Sequence, residues 1–141
     1  MDASLMDVLY SAGLLYEKLC RSAREKHGLS QTELDVLGFL GNNPGMDTAR
    51  DVTQYRRIPK ANVSQAVESL SRSGMLVSRR DENDRRLVRL ELTANGREAL
   101  GNIRAAQRAY ERTLTEGFTD EDRKSYRMLG ERVAENIKKA L

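Results

Sequence analysis

The sequence predicts a mainly α chain with one small β-hairpin, an α+β fold in which helices flank two short strands. Three observations predict it. Apolar side chains recur at spacings of three and four over most of the chain, the period of an amphipathic helix. Alternation at period two is confined to the region between Met75 and Leu92, where two short runs are split by a polar, charged turn. Aromatic residues make up only 5% and charged residues 32%, which suits an aliphatic core beneath solvated faces. At 141 residues the chain is sized for a single domain with a real core.

The first helix runs from Ser4 to about Lys26. Leu5, Leu9, Ala12, Tyr16, Leu19 and Ala23 form its stripe, and Val8, Leu15 and Cys20 widen it. Gly13 inside it costs about 1 kcal/mol relative to alanine, and His27-Gly28 offers a stop. Ser30-Gln31-Thr32-Glu33 has the spacing of a capping box, so a second helix begins there. It carries Leu34, Val36, Leu37, Phe39 and Leu40 before Gly41-Asn42-Asn43-Pro44-Gly45 ends it. Asp47 is the expected N-cap of a short third helix through about Arg56, with Ala49, Val52 and Tyr55 inward.

Pro59 fits the first turn of a fourth helix, where its missing N–H is no loss. Val63, Ala66, Val67 and Leu70 share one face of that helix, and Gly74 stops it. Met75 to Arg80 and Leu87 to Leu92 read as two strands, the second with Val88, Leu90 and Leu92 on one side and Leu87, Arg89 and Glu91 on the other. Helix, strand, charged turn, strand is the order of a winged helix-turn-helix. Thr93 caps a fifth helix to roughly Glu116, with Leu100, Ile103, Ala106, Ala109, Tyr110 and Leu114 on its apolar side. Thr119-Asp120-Glu121-Asp122 starts a sixth that ends in Lys138-Lys139, a polarity matched to the helix dipole, with Tyr126, Leu129, Val133, Ile137 and Leu141 as its stripe.

Charge narrows the choice of partner. The net charge is only +3, but residues 50–97 hold 11 Lys and Arg against 6 Asp and Glu, whereas the remainder holds 13 against 15. A clustered positive field suits a polyanion, although a solvated face rich in arginine gives the same sum, and geometry has to separate the two. Cys20 is the single cysteine, which excludes an intramolecular disulfide and a multi-cysteine metal site and points to a reducing cytoplasm. The first eleven residues carry Asp2 and Asp7 rather than a basic and apolar leader, and no apolar run approaches about 18 residues, so no membrane association is expected. No phosphate-cradling glycine loop and no paired catalytic carboxylates in evident register occur, so the chain does not read as an enzyme, and no cofactor or metal is expected.

A helix reads a major groove when polar side chains project from one face while the opposite face anchors it. Lys60, Asn62, Ser64 and Gln65 cluster in the N-terminal half of the fourth helix in that way. The tip of the hairpin places Arg85 and Arg86 beside Asp81 and Asp84, long cations next to carboxylates able to direct them, and a narrow minor groove attracts such an arginine. Arg79, Arg80 and Arg89 are positioned to add phosphate contacts.

Asp84-Arg85-Arg86, six residues, Thr93, two residues and Gly96 together resemble the wing motif of the MarR (multiple antibiotic resistance regulator) family of bacterial transcription factors. The likeness extends over the chain through the long first helix, the Ser30 to Glu33 start, Asn62-Val63-Ser64 and the two final helices. It implies a homodimer binding a pseudo-palindromic double-stranded DNA operator, acting as a repressor, with residues 30–96 as the winged helix-turn-helix and residues 1–28 and 97–141 as dimerisation helices. It implies that Lys60, Asn62, Ser64 and Gln65 occupy recognition-helix positions, that Arg85 is the wing-tip arginine, and that Asp84 and Arg86 surround it. Pro59 departs from the usual serine or threonine cap, and Met75 from the leucine or bulkier residue that often follows the glycine. Dimerisation also follows from the residues themselves, since the apolar stripes of helices one, five and six exceed what so small a central lobe can cover.

The resemblance further implies release by a small aromatic or phenolic effector, for which Tyr10, Tyr16, His27 and Phe39 are candidate walls, each also a fitting core residue. Hydroperoxide sensors of that family use a cysteine near the N-terminus, so a thiol-based redox-sensing regulator using Cys20 stands as one alternative, with Arg24 one turn on to favour a thiolate. A winged-helix module that binds protein without reading DNA stands as another.

Overall fold

The computed structural model describes residues 4–141. The first three residues, where the expected dimerisation segment begins, lie outside the described residues. Two compact units divide the chain at Tyr110 and Glu111.

In the first unit, α1 spans Leu5–His27, with the Ser4 hydroxyl accepting from the Asp7 backbone N–H at 3.1 Å and Gly28 closing the helix at φ +65°. Gly28 takes the left-handed conformation because it has no Cβ to clash there. The expected stripe of α1 divides along its length: Leu5, Val8, Leu9 and Tyr10 are exposed, and burial becomes complete only at Cys20 and Ala23. α2, Gln31–Asn42, buries Leu34, Val36, Leu37, Phe39 and Leu40. Ser30 caps it by accepting from the Glu33 N–H at 3.1 Å. The Glu33 carboxylate does not complete the expected box and accepts from the Ser69 hydroxyl at 3.3 Å, tying α2 to the fourth helix.

α3, Ala49–Arg56, corrects two expectations. Its N-cap is Thr48 rather than Asp47, and Thr48 with Asp51 forms the reciprocal capping box, both bonds at 3.1 Å. Asp47 is drawn elsewhere, into an ion pair with Arg89 at 2.8 Å. Tyr55 is exposed rather than inward, although its ring stacks on that of Phe39 with centroids 6.3 Å apart. α4, Lys60–Arg72, starts from Pro59 without a side-chain cap and buries Val63, Ala66 and Leu70.

β1, Leu76–Arg80, and β2, Val88–Leu92, pair antiparallel with Leu76 opposite Leu92, Ser78 opposite Leu90 and Arg80 opposite Val88. Each is one residue shorter than expected, because the Met75 N–H is taken by the Leu70 carbonyl at 2.9 Å and the Leu87 N–H by the Asp84 carbonyl at 3.0 Å. Leu76 and Leu90 are buried, and Val88 is exposed towards the turn. α5, Ala94–Leu114, ends two residues before Glu116. The Thr93 hydroxyl donates to the Gly74 carbonyl at 2.6 Å and accepts from the Gly96 N–H at 3.1 Å.

The core gathers Leu34, Val36, Leu37, Val52, Val63, Leu70, Leu76 and Ile103, each nearly or fully inaccessible to solvent. Each such side chain contributes on the order of 2 kcal/mol through the water it sheds. Polar contacts fasten α5 to this core: the His27 ring lies 2.8 Å from the Asn102 side-chain oxygen, and Arg104 donates to the Gly41 carbonyl at 2.9 Å.

The second unit holds the end of α5 and α6, Asp120–Ala140. Thr119 and Asp122 form a full capping box, as the spacing predicts. Thr115 is buried and accepts from Arg123 at 3.0 Å, and the Phe118 and Tyr126 rings meet edge to face at 5.7 Å. Every residue of α6 is exposed, its stripe of Tyr126, Leu129, Val133 and Ile137 included. Among the described residues, no helix is long and apolar enough to cross a membrane.

Candidate nucleic-acid interface

The polar face of α4 is built by its apolar one. Val63, Ala66 and Leu70 fix the helix to the core, and the helical period then turns Lys60, Asn62, Ser64 and Gln65 outward, all of them exposed. None of the four is held by another side chain among the hydrogen bonds and ion pairs of the described residues, which leaves their polar groups available to a partner.

The hairpin tip is ordered by two carboxylates. Asp81 accepts from the backbone N–H groups of Asn83 at 3.0 Å and Asp84 at 2.8 Å, and from Arg89 Nε at 3.2 Å. The Asp84 N–H and Arg89 favour its charged form and hold its carboxyl below the usual carboxylate range. Asp84 accepts from the Arg86 N–H at 3.0 Å and from Arg86 Nε at 3.1 Å, so its carboxyl is also lowered, Arg86 being the cause. The arginine that a carboxylate directs is therefore Arg86. Arg85 is exposed, its carbonyl accepts from Arg80 at 2.9 Å, and its own guanidinium has no hydrogen bond or ion pair among the described residues.

The remaining cations of the hairpin are engaged. Arg79 pairs with Glu91 across the strands. Arg89 is the least exposed of them and bridges Asp47 and Asp81, which raises its pKa further; the hydrogen bond to Asp47 is the larger cause. The Asp47 carbonyl also accepts from the Leu90 N–H at 2.7 Å. These bonds lock β2 to the residue just before Thr48 and α3, and so set the wing against the helices that carry the polar face. Sequence reasoning missed this tether. Its one signal was an arginine on the face of β2 opposite Leu90, a long cation at a half-buried position.

The residues expected to wall an effector site have separate surroundings. Tyr10 is exposed on α1. Tyr16 is half-buried, meets Tyr110 edge to face at 5.2 Å and accepts from Gln107 at 3.4 Å; burial pushes its hydroxyl up to about 12. His27 is engaged by Asn102, and Phe39 belongs to the core. Cys20 is fully buried, and burial raises its thiol pKa against the opposing influence of Tyr16 and Gln31, so the effect expected of Arg24 is outweighed. Among the described residues, no group of three or more His, Cys, Asp or Glu is placed to hold a metal ion.

The family model described as MarR family matches residues 27–87, the stretch from the end of α1 through the hairpin tip. An HTH-type transcriptional regulator, BilQ, of Clostridium symbiosum is 25% identical over 105 residues, covering 74% of this chain and 72% of that protein. Over residues 27–87, less than half of its length, the chain is similar to the MarR family. A further HTH-type transcriptional regulator, YkoM of Bacillus subtilis, is 32% identical over 87 residues, and the match spans 62% of this chain and 55% of that protein's length. The MarR fold is matched over nearly the whole chain. A MarR family regulator from Listeria monocytogenes, solved with a 26mer DNA, superposes with a TM-score of 0.84 over 97% of this chain and 90% of that one at 19% identity. BilQ and YkoM are both HTH-type transcriptional regulators.

Proposed function

We propose that this chain is a MarR family transcriptional regulator, a repressor that binds a pseudo-palindromic operator as a homodimer and is released by a small aromatic or phenolic ligand. The observation that carries the DNA-binding part is the unengaged polar face of Lys60, Asn62, Ser64 and Gln65, held in fixed relation to a wing whose Arg86 is aimed by Asp84. In this reading α4 enters the major groove, where Asn62 and Gln65 suit adenine edges and Lys60 suits guanine or phosphate, and the wing enters the adjacent minor groove. Arg85 and Arg86 both remain candidates for the minor-groove contact, Arg85 because it is unpaired and Arg86 because it is preorganised. Arg79 and Arg80 are assigned to phosphates.

Residues 30–96 form the DNA-binding region of this proposal, and the segments 1–28 and 97–141 the dimerisation region. Support comes from two separate stripes, Leu5, Val8, Leu9 and Leu14 on α1 and Leu129, Val133 and Ile137 on α6, all about half exposed or more and each of the apolar kind that a second copy covers. Tyr16 is the effector candidate with the most suitable surroundings, a half-buried ring beside Tyr110 and Gln107.

Selection of bound duplexes from a genomic fragment library, followed by mobility shifts with R85A, R86A and N62A, tests the reading. The expected result is a two-fold symmetric motif, lost base preference in N62A and weakened binding in at least one arginine variant. Recovery of no enriched duplex by a protein that is dimeric in sedimentation would overturn DNA recognition and favour a protein-binding module.

A further inference from the structure

Arg50 is an exposed cation on the second residue of α3, outside the wing and outside α4, and none of the ion pairs or side-chain hydrogen bonds of the described residues engages it. Two surface grooves meet at Ala49 and Arg50. One is also lined by Thr53, Lys60 and Ser64, on the side of the polar face of α4. The other is also lined by Thr48, Asp84, Arg86 and Val88, on the side of the wing. The spacing between these sides is set by the fold, because Asp47 holds Arg89 at 2.8 Å and the Leu90 N–H at 2.7 Å immediately before α3 begins.

A protein that puts one element in a major groove and another in the neighbouring minor groove must straddle the sugar-phosphate strand that separates them. The first helix of a helix-turn-helix is the element that crosses that backbone. On the strength of the DNA-binding reading, we infer that Arg50 clamps the phosphate strand passing between α4 and the wing. Lys60 on one side and Arg86 on the other make the channel cationic, and Asp84 beside it is already occupied by Arg86. The role is one of register: a phosphate gripped midway fixes how far α4 and the wing each reach, without reading a base.

The test is fluorescence anisotropy of wild type, R50A, R50K and R86A with two labelled duplexes, one recovered by selection and one of random sequence, from 50 to 200 mM KCl. R50A is expected to weaken both duplexes by a similar factor, about tenfold, as loss of a charge-assisted bond does. The slope of log K against log salt should fall by about 0.9 for each bound copy of the residue, with R50K restoring it. Unchanged melting of R50A confirms that the fold is intact. Should R86A weaken binding while R50A leaves both affinity and slope as in wild type, the clamp is wrong and the wing stands. A change of base preference in R50A would overturn the phosphate assignment. Failure of wild type to bind either duplex would instead overturn the DNA-binding reading itself, and the clamp with it.

Discussion

Replacing Gly96 by alanine probes the joint between the wing and α5. A Cβ built at Gly96 lies 2.2 Å from the Met75 carbonyl oxygen, 3.2 Å from the Met75 carbonyl carbon and 3.3 Å from Leu92 Cβ. Carbon and carbonyl oxygen rest at about 3.3–3.6 Å in tolerated contacts, so the new methyl is more than about 1 Å too close. The oxygen cannot swing away freely, since it accepts from the Thr93 N–H at 3.1 Å while the Met75 N–H is held by Leu70 at 2.9 Å. Overpacking against backbone belongs at the upper end of the usual 1–3 kcal/mol. The helical preference of alanine offsets at most about 1 kcal/mol, leaving a net loss of about 2 kcal/mol. Gly101, five residues along the same helix, has nothing within 4 Å of its added Cβ, so Gly101→Ala should stabilise by about 0.5–1 kcal/mol. Urea denaturation at one fixed protein concentration measures both, with the midpoint of Gly96→Ala falling by about 1 M and the slope unchanged. A Gly96→Ala protein as stable as wild type would refute the close approach. Equal losses at both positions would show that the glycine backbone, and not the Met75 carbonyl, is what matters.

Cys20, fully buried with its thiol pKa raised, should react with a thiol reagent at pH 8 only when the protein is unfolded; rapid stoichiometric labelling of native protein would revive the redox alternative. Because the Asp81 carboxyl is held low, its contribution to wing order is complete above the unfolded carboxyl's pKa of about 4 and disappears as pH falls through the lowered folded value. Protection of the Asn83 and Asp84 amides, taken relative to the intrinsic exchange rate at each pH, should therefore fall on acidification in wild type and be low at every pH in Asp81→Ala. Arg57 adopts φ 56°, a left-handed conformation unfavourable for a residue with a Cβ. Arg57→Gly should raise the urea midpoint by the equivalent of about 0.5–1 kcal/mol, and a loss of stability would show that the Arg57 side chain contributes something the geometry does not reveal.

Much of this architecture was legible because its determinants are local. Ser30, Thr119 and Gly28 act within a few residues of where they stand, and the spacing of Val63, Ala66 and Leu70 is enough to say which side of α4 faces out. Long-range competition decided what was not legible. Asp47 and Thr48 are adjacent, both of a type that caps helices, and the choice fell to Thr48 because Arg89, distant in sequence, takes the Asp47 carboxylate. Of the two tip arginines, the aimed one is Arg86, since an aspartate bonds the backbone two residues on and thereby places that residue's side chain. That local rule was available in the sequence.

The Thr93 hydroxyl has a single proton, committed to the Gly74 carbonyl, while a lone pair receives the Gly96 N–H. The bond that closes the base of the wing and the bond that opens α5 thus share one oxygen atom. Closure of one end orients the hydroxyl for the other, so the two elements assemble as one cooperative step and should open together, with the Gly96 and Arg97 amides exchanging as a unit. Serine keeps that coupling in chemical terms, whereas valine, of nearly the same shape, breaks both bonds at once.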